Sequence, residues 1–277
     1  MMFRTIKLLH PDYVRGRIDL TSLQGLKLSL RSLVFLKKNL TNLRKGHLAF
    51  ISKLVGVKIH YLEQYLAELN RNTSFFESLE QQYLSVWPSH RFYPHFFETN
   101  YPSKGGSVFF QSVTMYLLVR AMRPNVVIET GGAGGKSSTF ILQALKDNQQ
   151  GRLVTLDLNP EATGRLNSEY SWWPQGQPSY FLVPDNLRNR LDIRLGDAKT
   201  NLPKLLEEID SFDLFRHDSD HSYEHMLFEF RAAWPMLRDG GILVSDDIRA
   251  NTSFYEFCQE VDREPVVSLQ ALGGIQK

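Results

Sequence analysis

From residue 106 onward, short apolar runs alternate with stretches of helical periodicity, and this alternation constrains the fold more than any other feature of the chain. The spacing predicts a helix across Val108 to Ala121, a strand from Val126 to Glu129, a glycine-rich turn, and a helix from Ser137 to Lys146. Leu153 to Asp157, Leu191 to Leu195 and Phe212 to Asp218 read as the second, third and fourth strands. Met226, Phe230, Ala233 and Leu237 share one helical face, after which Asp239-Gly240-Gly241 turns the chain into a fifth strand, Ile242 to Asp246. Short apolar strands separated by helices imply a parallel sheet covered on both faces. Pro265 to Gln276 has room for two strands with no helix between them. Such a pair must be antiparallel, because a parallel crossover takes about a dozen residues.

The amino-terminal part follows a different rule. Leu23, Leu26, Leu30, Leu33, Leu40 and Leu43, then Leu48, Ile51, Val55, Leu62, Leu66 and Leu69, recur at three- and four-residue steps. Two or three amphipathic helices are expected over residues 20–82, broken at Gly46 and Gly56, with the stripe facing a core or a subunit interface of a homo-oligomer. Trp87 to Tyr101, WPSHRFYPHFFETNY, fits neither period and reads as a linker or lid, either part of an aromatic substrate pocket or a strap across a domain junction. The expected division is thus a basic helical region, 1–82, a linker or lid, 83–105, and an α/β domain, 106–277.

Composition narrows the setting. Hydrophobic residues at 42% and charged residues at 22% are ordinary globular usage. Such usage excludes disordered or disulfide-rich classes. The lone Cys258 cannot form an internal disulfide, and no apolar leader opens the sequence, so a reducing cytoplasm is the expected home. Gly105 to Val119, the longest uncharged run, falls short of the roughly 20 apolar residues a transmembrane helix needs. The net charge of +2 conceals an asymmetry: residues 1–60 carry 12 Lys and Arg against Asp12 and Asp19. Nucleic acid, an anionic membrane surface, and the acidic remainder of the molecule or a partner subunit all suit such a segment, and the last is expected; no RNA-binding aromatic signature or zinc-finger spacing points to nucleic acid.

The turn after the first strand reads Glu129-Thr130-Gly131-Gly132-Ala133-Gly134-Gly135-Lys136-Ser137-Ser138. Glycines there let the backbone approach a ligand and aim N–H groups from a helix N-terminus. A phosphate-binding P-loop would need a glycine where Thr130 stands, and a strict dinucleotide fingerprint begun at Gly132 ends on Ser137. Asp157 closes the second strand, at the distance beyond the glycines, roughly 20 positions, where a carboxylate receives a ribose diol and would repel a 2′-phosphate. Asp218, with Asp246 and Asp247 one helix and one strand later, belongs at the carboxyl ends of neighbouring strands, roughly 5 Å apart. Clustered carboxylates are stable there if a hard cation is bound or some are protonated.

The series acidic residue, x, Gly, three residues, Gly resembles motif I of class I S-adenosylmethionine-dependent methyltransferases, with Glu129, Gly131 and Gly135 at the matching positions and Ser137 in the turn. Asp197, in Leu195-Gly196-Asp197-Ala198, resembles that family's adenine-side acidic position. The run DSDHSYEH and the later GGILVSDD resemble a pattern shared by macrocin- and mycinamicin-type sugar O-methyltransferases and cephalosporin hydroxylase-like proteins. The resemblance spans residues 106–277 and implies a Rossmann-like, doubly wound seven-stranded α/β sheet in the order 3-2-1-4-5-7-6, last strand antiparallel, with an N-terminal helical extension. It implies methyl transfer from S-adenosylmethionine to a small-molecule hydroxyl, with Asp218, Asp246 and Asp247 holding Mg²⁺ and His221 as general base. The sequence departs from the pattern in two places: Arg216 and His217 stand where apolar strand residues are usual, and Asp246-Asp247 replaces the commoner Glu-Asp. The alternatives are a metal-independent N- or carboxyl-methyltransferase, a P-loop-like NTPase, and a non-catalytic scaffold.

Overall fold

The computed structural model describes residues 45–86, 109–158, 176–268 and 271–277. The leucines at 23–43, the aromatic stretch 87–101 and the loop holding Trp172 and Trp173 lie outside the described residues. Two compact units are distinguished, Met1–His47 and Leu48–Lys277. Of the first, residues 45–47 are described, and they are helical, so Gly46 does not break a helix.

The second unit opens with three helices: α1 over residues 48–55, α2 (Ile59–Arg71) and α3 (Thr73–Val86). Gly56, at φ +71°, ends α1 in the left-handed conformation that glycine adopts without steric cost. A helix α4 (Phe109–Met122) leads into β1 (Val126–Thr130). Then follow α5 (Lys136–Asp147), β2 (Arg152–Asp157), β3 (Leu191–Leu195) and α6 (Ala198–Glu208). The chain continues through β4 (Phe212–His217), α7 (Tyr223–Ala233), β5 (Leu237–Ser245), α8 (Ser253–Glu260), β6 (Val266–Val267) and β7 (Gly273–Gln276).

The seven strands form one sheet in the order β3-β2-β1-β4-β5-β7-β6, the order expected from the sequence. β1 to β5 pair in parallel, and β7 runs antiparallel to both β5 and β6. Alternate strand residues face opposite sides, which makes two cores. Val127, Leu153, Leu214, Ile242 and Val244 pack with α1 to α5. Ile128, Val154, Phe215 and Leu243 pack with α6, α7 and α8. A side chain on Gly274 of β7 would approach Leu54 of α1 to 2.8 Å, so the glycine permits the helix to lie against the strand. Arg120 of α4, 9% exposed, binds Glu68 of α2 at 2.8 Å and Asn148 at 3.0 Å, with its guanidinium 4.5 Å over the Tyr65 ring. Stacking of that kind adds cation–π attraction to the ion pair.

Two boundaries differ from the sequence reading. Leu237 is not helical; α7 ends at Ala233 and Leu237 opens β5 opposite Phe212. Asp239-Gly240-Gly241 is therefore inside β5, where the pairing register shifts between Phe212 and Leu214, as in a β-bulge. Among the described residues no helix is long and apolar enough to cross a membrane.

Candidate active site

Open parallel sheets bind ligands outside the carboxyl ends of their strands, beside the central crossover. Here those ends frame a cleft of about 600 Å³ lined by Gly131, Asp157, Asp197, Asp218, Ser219 and His225 among others. That volume lies within the usual range of small-molecule sites.

Asp157 closes β2, and its Oδ1 accepts the Leu158 backbone N–H at 2.8 Å. Asp197 is the N-cap of α6, its Oδ1 taking the Lys199 N–H at 3.0 Å. That bond satisfies one of the helix's orphan donors. Both aspartates stand on the cleft wall with Asp218. Glu129, Gly135 and Ser137, which the sequence reading set against the cofactor, are not among the lining residues. Glu129 is fully buried and accepts four donors: Ser137 Oγ at 2.6 Å, Ser138 Oγ, Thr155 Oγ1 at 3.3 Å and Arg216 Nη1 at 2.9 Å. Gly135 has φ +85°, and a Cβ there would fall 2.7 Å from Val183 Cγ2. What presses on the glycine turn is a strap of this chain: Tyr180 N–H donates to Ala133 O at 2.8 Å and Leu182 N–H to Gly134 O at 2.9 Å.

His217 and Ser245 are paired across β4 and β5, so Asp218 and Asp246 leave the sheet side by side, one residue past the strand ends. Asp218 Oδ2 accepts Arg216 Nη2 at 2.7 Å, while its Oδ1 lies 3.7 Å from His221 Nε2. His221 Nε2 is buried and has no hydrogen-bond partner among the described residues. Burial, partly offset by Asp218, holds the His221 imidazole below its usual range, hence neutral near pH 7. Burial and then the charge of Asp218 push the Asp246 carboxyl well above the usual carboxylate range. Asp246 Oδ1 accepts two donors, Gln111 Nε2 at 2.6 Å and the Asp247 N–H at 2.9 Å. Asp247 is exposed, at φ +46°.

The residues expected to hold Mg²⁺ do not fit the ion. An octahedral cation needs free oxygens converging at about 2.0–2.1 Å. One oxygen of Asp218 is held by a guanidinium and one of Asp246 by two internal donors, which leaves each a single oxygen to offer. Among the described residues no group of three or more His, Cys, Asp or Glu is arranged to hold a metal.

Beside this cluster stands one that sequence reasoning missed. Glu229 of α7, fully buried, accepts Thr130 Oγ1 at 2.6 Å, His217 Nδ1 at 2.7 Å, Ser219 Oγ at 2.7 Å and His225 Nε2 at 2.8 Å. Burial opposes ionisation, but the hydrogen bonds from His217 and His225 outweigh it and bring the Glu229 carboxyl down to about 2. The same bond raises the His225 imidazole above its usual range. One carboxylate thus ties the end of β1, the end of β4, the following turn and α7 together. The signal was present in sequence: polar residues inside apolar periodicity, His217 in a strand and Glu229 beside Phe230.

Residues 128–248 match a family model described as a methyltransferase domain. The methyltransferase class read from the sequence is supported by that match. No curated protein matches the chain. Solved structures similar to it include an O-methyltransferase from Bacillus cereus in complex with SAH, 20% identical, covering 77% of this chain and 96% of that one, with a TM-score of 0.48. An O-methyltransferase from Streptomyces achromogenes involved in tomaymycin synthesis, solved with SAM, is 18% identical over 73% of this chain and 90% of that one, TM-score 0.48. An SAH-bound methyltransferase from Podospora anserina is 14% identical over 76% of this chain and 95% of that one, TM-score 0.47.

Proposed function

We propose that this chain transfers the methyl group of S-adenosylmethionine to a hydroxyl oxygen of a small molecule, in the manner of the sugar O-methyltransferases that its DSDHSYEH run resembles. The observation that carries the reading is the acidic cleft within the methyltransferase-domain match, where Asp157, Asp197 and Asp218 line one wall of a cavity of about 600 Å³. S-adenosylmethionine offers a ribose diol and two cationic groups, which suit carboxylates; the phosphates of ATP or NAD would meet three like charges.

The bound cofactor supplies a methyl group already activated by a sulfonium sulfur. The chain's part is alignment and deprotonation. Asp157 receives the diol, and Asp218 is fixed by Arg216 at the cleft edge. His221, three residues beyond Asp218 and not itself among the residues lining the cleft, takes the acceptor's proton on its unpartnered Nε2, as a general base does. The Asp218 carboxylate, 3.7 Å away, stabilises the imidazolium that forms. The misfit of the metal ligands favours a second reading, a metal-independent N- or carboxyl-methyltransferase, since an amine or carboxylate acceptor needs no ion. The described part of the leucine and isoleucine stripe, on α1 and α2, is buried in the chain's own core, and among the described residues of those helices Ile59 and Tyr61 are the exposed large hydrophobics that a homo-oligomer could use.

The test is transfer of label from S-adenosylmethionine to hydroxyl, amine and carboxylate panels. Hydroxyl products made by the wild type and lost in His221→Ala support the first reading. Amine or carboxylate products insensitive to His221→Ala would replace it with the second.

A further inference from the structure

We infer that Arg216 is the resident cation of the carboxylates at the ends of β1 and β4, Glu129 and Asp218, and holds the Asp218 carboxylate that the family resemblance set against a divalent metal. An arginine inside a central strand is an expensive residue unless its charge is matched, so its presence at this position calls for a partner. Arg216 is 2% exposed, flanked by the buried Phe215 and His217, and its guanidinium bridges Glu129 Oε1 at 2.9 Å and Asp218 Oδ2 at 2.7 Å. Its planar fork fits two carboxylates at fixed angles. A divalent ion at Asp218 would have to displace that hydrogen bond or sit beside a buried positive charge.

The geometry also gives Arg216 a positioning task. By taking Oδ2 it leaves Oδ1 of Asp218 turned to the His221 side, at 3.7 Å. Arg216 reaches the reaction only through Asp218 and Glu129. This catalytic consequence rests on the proposed function; the question of which cation the carboxylates hold does not.

Mn²⁺ serves as the probe, because it takes the same oxygen ligands as Mg²⁺ and its free form is counted by electron paramagnetic resonance. Wild-type protein is expected to take up no more Mn²⁺ than Asp218→Asn. Arg216→Met, which removes the charge, should gain saturable uptake that is lost again when Asp218→Asn is added, while Arg216→Lys, which keeps the charge, should behave as wild type. Uptake by wild type that Asp218→Asn abolishes overturns the inference, and so does a folded Arg216→Met protein that takes up no ion. Where Arg216→Met does not fold, Arg216→Gln removes the charge while keeping a hydrogen-bond donor and is read by the same criteria. Under chelation, methyl transfer by the uncharged variant should fall roughly ten- to hundredfold, the loss of one charge-assisted hydrogen bond, and recover in Arg216→Lys. Calorimetry with S-adenosylmethionine on the same samples separates the two readings: absent cofactor binding sinks the proposed function, whatever Mn²⁺ does.

Discussion

At the scale of single residues the site divides into groups that face the cleft and groups that hold them. His221 is the proposed base of the reaction, whereas Glu229 belongs with the framework. Replacing His221 by Ala should lower kcat by roughly 10² to 10⁴, the span of a general base, and leave cofactor affinity unchanged; steady-state kinetics beside calorimetry checks both halves. Glu229 makes a different prediction. Its folded value of about 2 lies below the ordinary 4.5, so the stability it contributes is fully present above pH 4.5 and is lost as pH falls toward 2. The shift corresponds to on the order of 3 kcal/mol. Chemical unfolding of wild type and Glu229→Gln should therefore differ most near neutral pH and converge on acidification; an unchanged gap between about pH 5 and about pH 3 would contradict this. His225, whose imidazole is raised, contributes with the opposite sign, fully below pH 6.5 and lost as pH rises through its folded value. Asp157 and Asp218 were legible in the sequence as strand-end carboxylates and Asp197 by resemblance, and all three line the cleft. The Glu229 network was not, because a charged residue on a buried helix face shows its partners only once β1, β4 and the turn converge.

At the scale of elements, the glycine turn changes its meaning. Sequence reasoning assigned its glycines to a ligand, whereas the strap around Tyr180 supplies much of the crowding. A Cβ on Gly132 would fall 2.2 Å from Tyr180 Cε1. Gly132→Ala should therefore cost about 1 to 3 kcal/mol by overpacking. In a double-mutant cycle with Tyr180→Ala the two losses should be less than additive, and strict additivity would show that the alanine is resented for another reason. No local pattern could have revealed this contact, which joins residues far apart in the chain. The strand and helix boundaries were legible to within a few residues wherever apolar periodicity ended cleanly. They failed at Leu237, where an apolar residue in helical phase with Phe230 and Ala233 is claimed by pairing with Phe212.

At the scale of the molecule, the parallel sheet followed from alternation and its strand order from the resemblance, and α1 to α3 belong to the same core as the sheet. Removing residues 1–86 strips Ile51, Leu54, Leu62, Leu69, Leu79 and Tyr83 from that core and should give insoluble material; a soluble product as stable as the full chain would refute the shared core. Whether the acidic cleft holds S-adenosylmethionine is answered most directly by titration calorimetry on the full chain. Saturable binding of S-adenosylmethionine, weakened roughly tenfold to hundredfold in Asp157→Ala through loss of a charged hydrogen-bond acceptor, is the predicted result. Binding of ATP or NAD without S-adenosylmethionine, or cofactor affinity indifferent to Asp157, would contradict it.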